Sequence, residues 1–279
     1  MRFCLSFWAL MPTFKLTIEY DGTDYHGWQV QPGMATIQGT LEHAMARIIG
    51  APVHVHGAGR TDAGVHALGQ VASLRAEFMH PPDTLRRALT SLLPPDIVVT
   101  RVEEAPEDFD AQRSAEWKRY RYTLLTRSYP SALERRYSLF IPHPLKIDSM
   151  AEAANMLLGE HDFSSFQAAH SSADHPVRRV LRATFRQEDD HLFFEIAANG
   201  FLRHMIRIIM GTLLGVGRGK LGSRDLKAIL EAKHRNRASK TISPHALCLM
   251  EVGYQPFHSS HPNSSPARGE SKVEGEGRA

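Results

Sequence analysis

Phe14-Lys15-Leu16-Thr17-Ile18-Glu19-Tyr20 alternates apolar and polar residues and runs directly into Asp21-Gly22. A period of two puts Phe14, Leu16, Ile18 and Tyr20 on one face, as in a half-buried strand, and Asp-Gly is turn chemistry. Downstream, Ile37, Leu41, Ala44, Met45 and Ile48 recur at helical spacing, with Thr36 as N-cap and Gly50 as stop. Val53-His54-Val55-His56 alternates again, and a second strand is expected around Val71 to Leu74. Leu85, Ala88, Leu89 and Leu92 form another helix face, ended by Pro94-Pro95, and Ile97 to Val102 reads as a strand. The order β-α-β-β-α-β is the ferredoxin-like split motif.

The second half repeats this order loosely. Trp117 to Leu125 reads as a strand, and Met150, Ala153, Ala154, Leu157 and Leu158 mark a helix. Val180 to Phe185 and Leu192 to Ala197 read as a hairpin turning at Asp189-Asp190. An apolar helix is expected over Phe201 to Leu214, a short one over Ser223 to Lys233, and a last strand over Leu247 to Val252. The fold class is therefore α+β, in two halves placed at 13–108 and 109–255. Met1 to Leu10 is apolar but at the short limit for a signal peptide and lacks a small-residue cleavage site. Residues 1–12 are expected to be an N-terminal extension, with translation starting at Met11. Residues 256–279, rich in Ser, Pro, Gly and charge, are expected to be a disordered tail.

The chain has 279 residues, 42% of them hydrophobic, which supports a real core and excludes global disorder. Its net charge is only +3, so nucleic-acid binding requires the 33 Lys and Arg to cluster. The two cysteines, Cys4 and Cys248, are too few and too distant for a disulfide framework or a cysteine zinc site, which fits a cytoplasmic protein. No apolar run reaches the roughly 18 residues of a membrane span. Sixteen histidines include His54 and His56 on one strand face and His170 and His175 in a loop. No His-Glu-x-x-His pattern, finger spacing, phosphate-loop Lys or Gly-rich dinucleotide fingerprint accompanies them, so neither a metal nor a cofactor is expected.

Gly59-Arg60-Thr61-Asp62-Ala63-Gly64-Val65-His66 follows the Val53 strand. The two glycines mark a loop with unusual backbone angles or close approach. A carboxylate on a strand-end loop beside an arginine is placed for chemistry. The plainer reading is a turn whose Asp caps its own backbone. Lys118-Arg119-Tyr120-Arg121-Tyr122 lies in a strand, so Lys118, Tyr120 and Tyr122 share a face and Arg119 and Arg121 point away. Interleaved Tyr and cations suit nucleic acid, because rings stack on bases and cations meet phosphates. A solvated edge strand with core tyrosines would read the same. Arg178, Arg179, Arg182, Arg218, Lys220 and the run Lys233 to Arg237 add cations. Arg203 and Arg207 are four apart and are expected on one helix face, with His204 between them.

The Asp62 loop, the Lys118–Tyr122 strand, Gly200-Phe201-Leu202-Arg203-His204-Met205-Ile206-Arg207 and the Leu247 strand, in this order, resemble the bacterial tRNA pseudouridine synthase A (TruA) family. The match runs from Phe14 to about Tyr254 and includes Gly27-Trp28-Gln29, Pro94-Pro95-Asp96-Ile97 and Gly159-Glu160-His161-Asp162-Phe163. The resemblance implies two ferredoxin-like, RRM-like subdomains, mainly antiparallel, joined into one central sheet with the active-site cleft between them. It implies conversion of uridine to pseudouridine at positions 38, 39 and 40 of the tRNA anticodon stem-loop, by a homodimer without metal or organic cofactor. Asp62 matches the family's nucleophile and Arg207 its ion-pair partner. Tyr120 matches the tyrosine against the uracil ring, Leu247 an apolar pocket wall, and Arg60 the arginine that displaces the flipped base. The chain departs from the family at Gln112, where Arg is frequent, and at Ala246, where Gly is frequent. A non-catalytic RNA-binding module would leave the Asp62 loop without a role, and a histidine-based metal hydrolase would need ligand spacing that is absent.

Overall fold

The computed structural model describes residues 11–168 and 175–258. In the first half, β1 (Thr13–Tyr20), α1 (Ile37–Ile49), β2 (His56–Gly57), β3 (His66–Arg75), α2 (Pro82–Leu92) and β4 (Ile97–Ala105) follow in order. The second half holds β5 (Trp117–Leu125), β6 (Leu139–Phe140), α3 (Ile147–Asn155), β7 (Gly159–Asp162), β8 (Val177–Glu188), β9 (His191–Ala198), α4 (Met205–Gly217), α5 (Asp225–Glu231) and β10 (Leu247–Gly253). The architecture is α+β, and all the described strands join one mainly antiparallel sheet of order β4-β1-β3-β10-β5-β9-β8-β7, with β2 on β3 and β6 on β5.

Each half has ferredoxin-like order. The first runs β4-β1-β3-β2 and the second β10-β5-β9-β8. The two sheets fuse because β2 is short. It pairs with β3 only at Ala72 and Ser73, which leaves the His66–Ala67 end of that edge free. There β10 pairs in parallel, Cys248 opposite His66 and Leu249 opposite Ala67, while its other edge runs antiparallel to β5.

The expected strand over Val53 to His56 is thus cut to His56–Gly57. The backbone of Val55 is already satisfied by α1: its N–H donates to Glu42 Oε1 at 3.0 Å, and its carbonyl accepts from Gln38 Nε2 at 3.0 Å. With both groups bound to side chains, Val55 has nothing to offer a ladder. Helix α1 itself starts and stops as its sequence indicates, with Thr36 Oγ1 accepting from Gly39 N and Gly50 left-handed at φ 80°.

Phe14, Leu16, Ile18 and Tyr20 of β1 are buried in one core with Leu41 and Met45 of α1 and Leu85 and Leu89 of α2. In the second half, Phe194 and Ile196 of β9 are buried with Met150 of α3 and Ile209 and Leu213 of α4. Three helices differ from expectation, the first being α3, which ends at Asn155 before Leu157 and Leu158. Helix α4 begins at Met205, not Phe201, and α5 is limited to Asp225–Glu231. Arg203 therefore precedes α4 and does not share a helix face with Arg207. Residues 1–10 of the expected extension and 259–279 of the expected tail lie outside the described residues. The Phe257 ring, within that expected tail, packs edge-on against Trp117 at 5.1 Å.

Candidate active site

The Asp62 loop crosses from β2 to β3 and is braced by its neighbours. Thr61 O accepts from Trp28 N at 3.1 Å, and Thr61 Oγ1 bonds the buried Tyr20 hydroxyl at 2.8 Å. Gln70 of β3 donates through Nε2 to Gly59 O at 2.8 Å. Gly27, at φ 89°, lets its backbone approach so closely that a β-carbon would lie 2.6 Å from Thr61 O. Gly64 is left-handed at φ 75°, and the loop closes with Val65 N donating to Asp62 O at 3.1 Å.

The Asp62 side chain does not cap this turn. Its Oδ2 accepts from Arg207 Nη1 at 2.8 Å, across 145 residues of sequence. Arg207 is fixed from behind, because its Nε donates to Ile242 O at 2.8 Å. His204 Nε2 lies 3.6 Å from the same Oδ2. Oδ1 has no hydrogen-bond partner among the described residues. Arg and carboxylate held in this way form a charge-assisted pair with fixed geometry.

Around this pair opens a cleft of about 1420 Å³, lined among others by Arg60, Lys118, Tyr120, Phe201 and Leu247. Tyr120 comes from β5, and its ring meets Phe201 edge-on at 5.2 Å. Burial, followed by the neighbouring Tyr20, Asp62 and Cys248, pushes the Tyr120 hydroxyl well above the ordinary phenol range. It is therefore a protonated donor at neutral pH. Leu247, buried at the start of β10, supplies an apolar wall. Arg60 is exposed at the rim, as is Gln112. Burial, and then Arg178, lowers the Lys118 ammonium from its usual value.

Five candidates named from sequence, Asp62, Arg207, Tyr120, Leu247 and Arg60, thus meet in one cleft. The sequence marks His204 only as a residue between two arginines. It sits at the N-terminus of α4 in the left-handed region, φ 62°, uncommon for a non-glycine and a recurrent feature of functional sites. Burial, with Arg207, Arg203 and Arg235, lowers its pKa below the ordinary value despite the opposing pull of Asp62. It is neutral at pH 7 and able to donate one N–H.

Not every expected cation reaches the cleft. On the other face of β5, Glu195 lies 2.7 Å from Arg121, 3.5 Å from Arg119 and 3.8 Å from Arg182. Burial opposes ionisation of Glu195, but the three guanidinium groups outweigh it and hold its pKa low. These arginines form an internal charge network. His54 bonds Glu42 at 2.8 Å, and among the described residues no three His, Cys, Asp or Glu side chains are grouped to hold a metal ion. His170 lies outside the described residues.

An ion-paired carboxylate, an aromatic wall whose hydroxyl has no partner among the described residues and a rim of cations define an enzyme for a polyanionic substrate with a planar reacting group. Comparison with known proteins narrows that class. Residues 16–112 and 153–255 match a family described as tRNA pseudouridine synthase. The chain is 45% identical over 244 residues to tRNA pseudouridine synthase A of Caldicellulosiruptor bescii, covering 88% of this chain and all of that protein. It is also 45% identical over 244 residues to the protein of the same name from Acetivibrio thermocellus, and 43% identical over 247 residues to that from Bartonella tribocorum, with the same coverage. The chain belongs to the tRNA pseudouridine synthase family. It is an isomerase that converts uridine to pseudouridine in tRNA.

Proposed function

We propose that the substrate uridines are those at positions 38, 39 and 40 of the tRNA anticodon stem-loop, and that the enzyme works as a cytoplasmic homodimer. Asp62 is the nucleophile, Arg207 its partner, Tyr120 the surface against the uracil and a group for proton transfer, Leu247 an apolar wall, and Arg60 the group that enters the space left by the flipped base. The two halves, 13–108 and 109–255, act as subdomains that contribute Asp62 and its partners from opposite sides. The observation that carries the reading is the 2.8 Å contact between Arg207 and Asp62 Oδ2, which leaves Oδ1 open in a cleft beside Tyr120.

The isomerisation breaks the bond between uracil N1 and sugar C1′, turns the ring, forms a bond from C5 to C1′, and moves the C5 proton to N1. Asp62 Oδ1 either attacks C1′ or removes a sugar proton to give a glycal. Both routes need an ionised carboxylate, and a close arginine favours that form. Uracil must leave its stack to reach the cleft, at a cost of a few kcal/mol that is lowest in loops and at helix ends. Tyr120 offers the detached ring a flat surface and an O–H that can hand a proton to a ring atom.

Asp62→Asn tests the assignment. Pseudouridine formation should be abolished while tRNA affinity stays within a few-fold. Appreciable turnover by that variant would remove Asp62 from the chemistry. Target position is tested by mapping pseudouridine on tRNAs that keep a single uridine at 38, 39 or 40, and dimerisation by analytical ultracentrifugation.

A further inference from the structure

Beyond Arg203 and His204 a second hollow of about 650 Å³ opens, sharing those two residues with the Asp62 cleft. Arg203, His204, Arg235, Asn236, Lys240 and Thr241 supply its polar lining, and no carboxylate lines it among the described residues. Arg203 and Lys240 are exposed. The positive field of Arg203 and Arg235 registers at His204, whose pKa burial lowers first and these two arginines, with Arg207, lower further.

The far wall is built rather than incidental. Arg235 donates from Nη1 to Ala238 O at 3.2 Å and from Nη2 to Thr241 Oγ1 at 3.4 Å. Ser239 N donates to Thr212 Oγ1 of α4 at 3.2 Å. Gly211 of α4 lets the Lys240 backbone lie directly on the helix, where a β-carbon would collide with the Lys240 carbonyl oxygen. The same segment ends at Ile242, whose carbonyl holds Arg207. The basic hollow and the catalytic pair therefore share one support.

We propose that this hollow seats backbone phosphates of the tRNA strand adjoining the uridine held in the Asp62 cleft. The inference rests on the functional reading above. A strand that delivers one nucleotide into the cleft continues over its rim, and across the wall of Arg203 and His204 it meets Arg235 and Lys240; among the described residues no acid lining the hollow offsets these three cations. Arg and Lys on phosphates position a strand without reading its sequence.

The test compares wild type with Lys240→Gln, Arg235→Gln and the double variant. tRNA affinity is measured from 50 to 200 mM salt, and pseudouridine formation at saturating tRNA. Each substitution should flatten the plot of log affinity against log salt by about 0.7–0.9 for every phosphate left without its cation, and Lys240→Gln, whose side chain braces nothing around Arg207, should keep turnover within about two-fold of wild type. Lys240→Gln is the cleaner arm, because Arg235 also bonds within its own segment. An unchanged slope in the double variant, or lost turnover at unchanged slope, overturns the proposal. Wild-type protein that makes no pseudouridine in tRNA overturns the functional reading itself, and this one with it.

Discussion

At the scale of single residues, the site depends on how Asp62 Oδ2 is held. Arg207 makes two bonds with different nitrogens, Nη1 to Asp62 and Nε to Ile242 O. Lysine has one nitrogen and cannot reproduce both, so Arg207→Lys should lower kcat by about 10²-fold or more while tRNA affinity changes a few-fold. Single-turnover kinetics with a separate binding assay would check this, and wild-type turnover would dispose of the ion-pair argument. His204 carries a pH prediction. Its pKa is depressed in the folded protein from 6.5, so between the two values the unfolded chain binds more protons. Stability then falls as pH drops through that window and is unaffected by this group well above it. His204→Gln removes the titration, so its denaturation midpoint should fall less than that of wild type between pH 7 and pH 5. The two Asp62 partners are not equally legible in the sequence. Arg207 follows from the family motif, whereas the importance of His204 depends on a left-handed residue and a helix start that periodicity does not reveal.

At the scale of elements, strong periodic segments can be read and short or side-chain-held ones cannot. The helix after Thr36 and the strand of alternating Tyr and Arg lie where their patterns put them. The Val53–His56 alternation is real, with Val55 fully buried, yet its backbone is bound by Gln38 and Glu42 of α1 rather than by a strand. Glu42→Ala should leave the Val55 N–H unsatisfied and cost about 1–3 kcal/mol, read by urea denaturation. No loss would mean that water or another group replaces the carboxylate. The glycines of α4 mislead in the same way. Gly211 reads as a weak helix residue whose replacement by Ala should gain up to about 1 kcal/mol. The Lys240 carbonyl leaves no room for the added methyl. Gly211→Ala is therefore expected to destabilise by about 1–3 kcal/mol and, by displacing Ile242 O, to slow turnover about ten-fold. A stabilised, fully active variant would show that this segment does not position Arg207.

At the scale of the molecule, two ferredoxin-like units share one strand arrangement, and a seven-residue strand joins them. The sequence marks β10 as a strand, but its alternation does not say which edges it fills, because pairing partners lie more than a hundred residues away. That β10 bridges the halves depends on β2 being too short to cover β3, which in turn depends on α1 capturing Val55. The join also fixes the site, since β3 follows the Asp62 loop, β5 carries Tyr120, and β10 lies between them and begins at Leu247. Such an arrangement should unfold as one unit. Leu249 at the centre of β10 is fully buried, and truncation to Ala should cost about 2–5 kcal/mol. If the sheet is a single cooperative unit, hydrogen exchange in Leu249→Ala should lose protection equally in β1 at one side of the join and β9 at the other, because both open only through global unfolding. Loss confined to β5 and β9, with β1 still protected at the wild-type level, would show instead that the first half holds its fold after β10 is released.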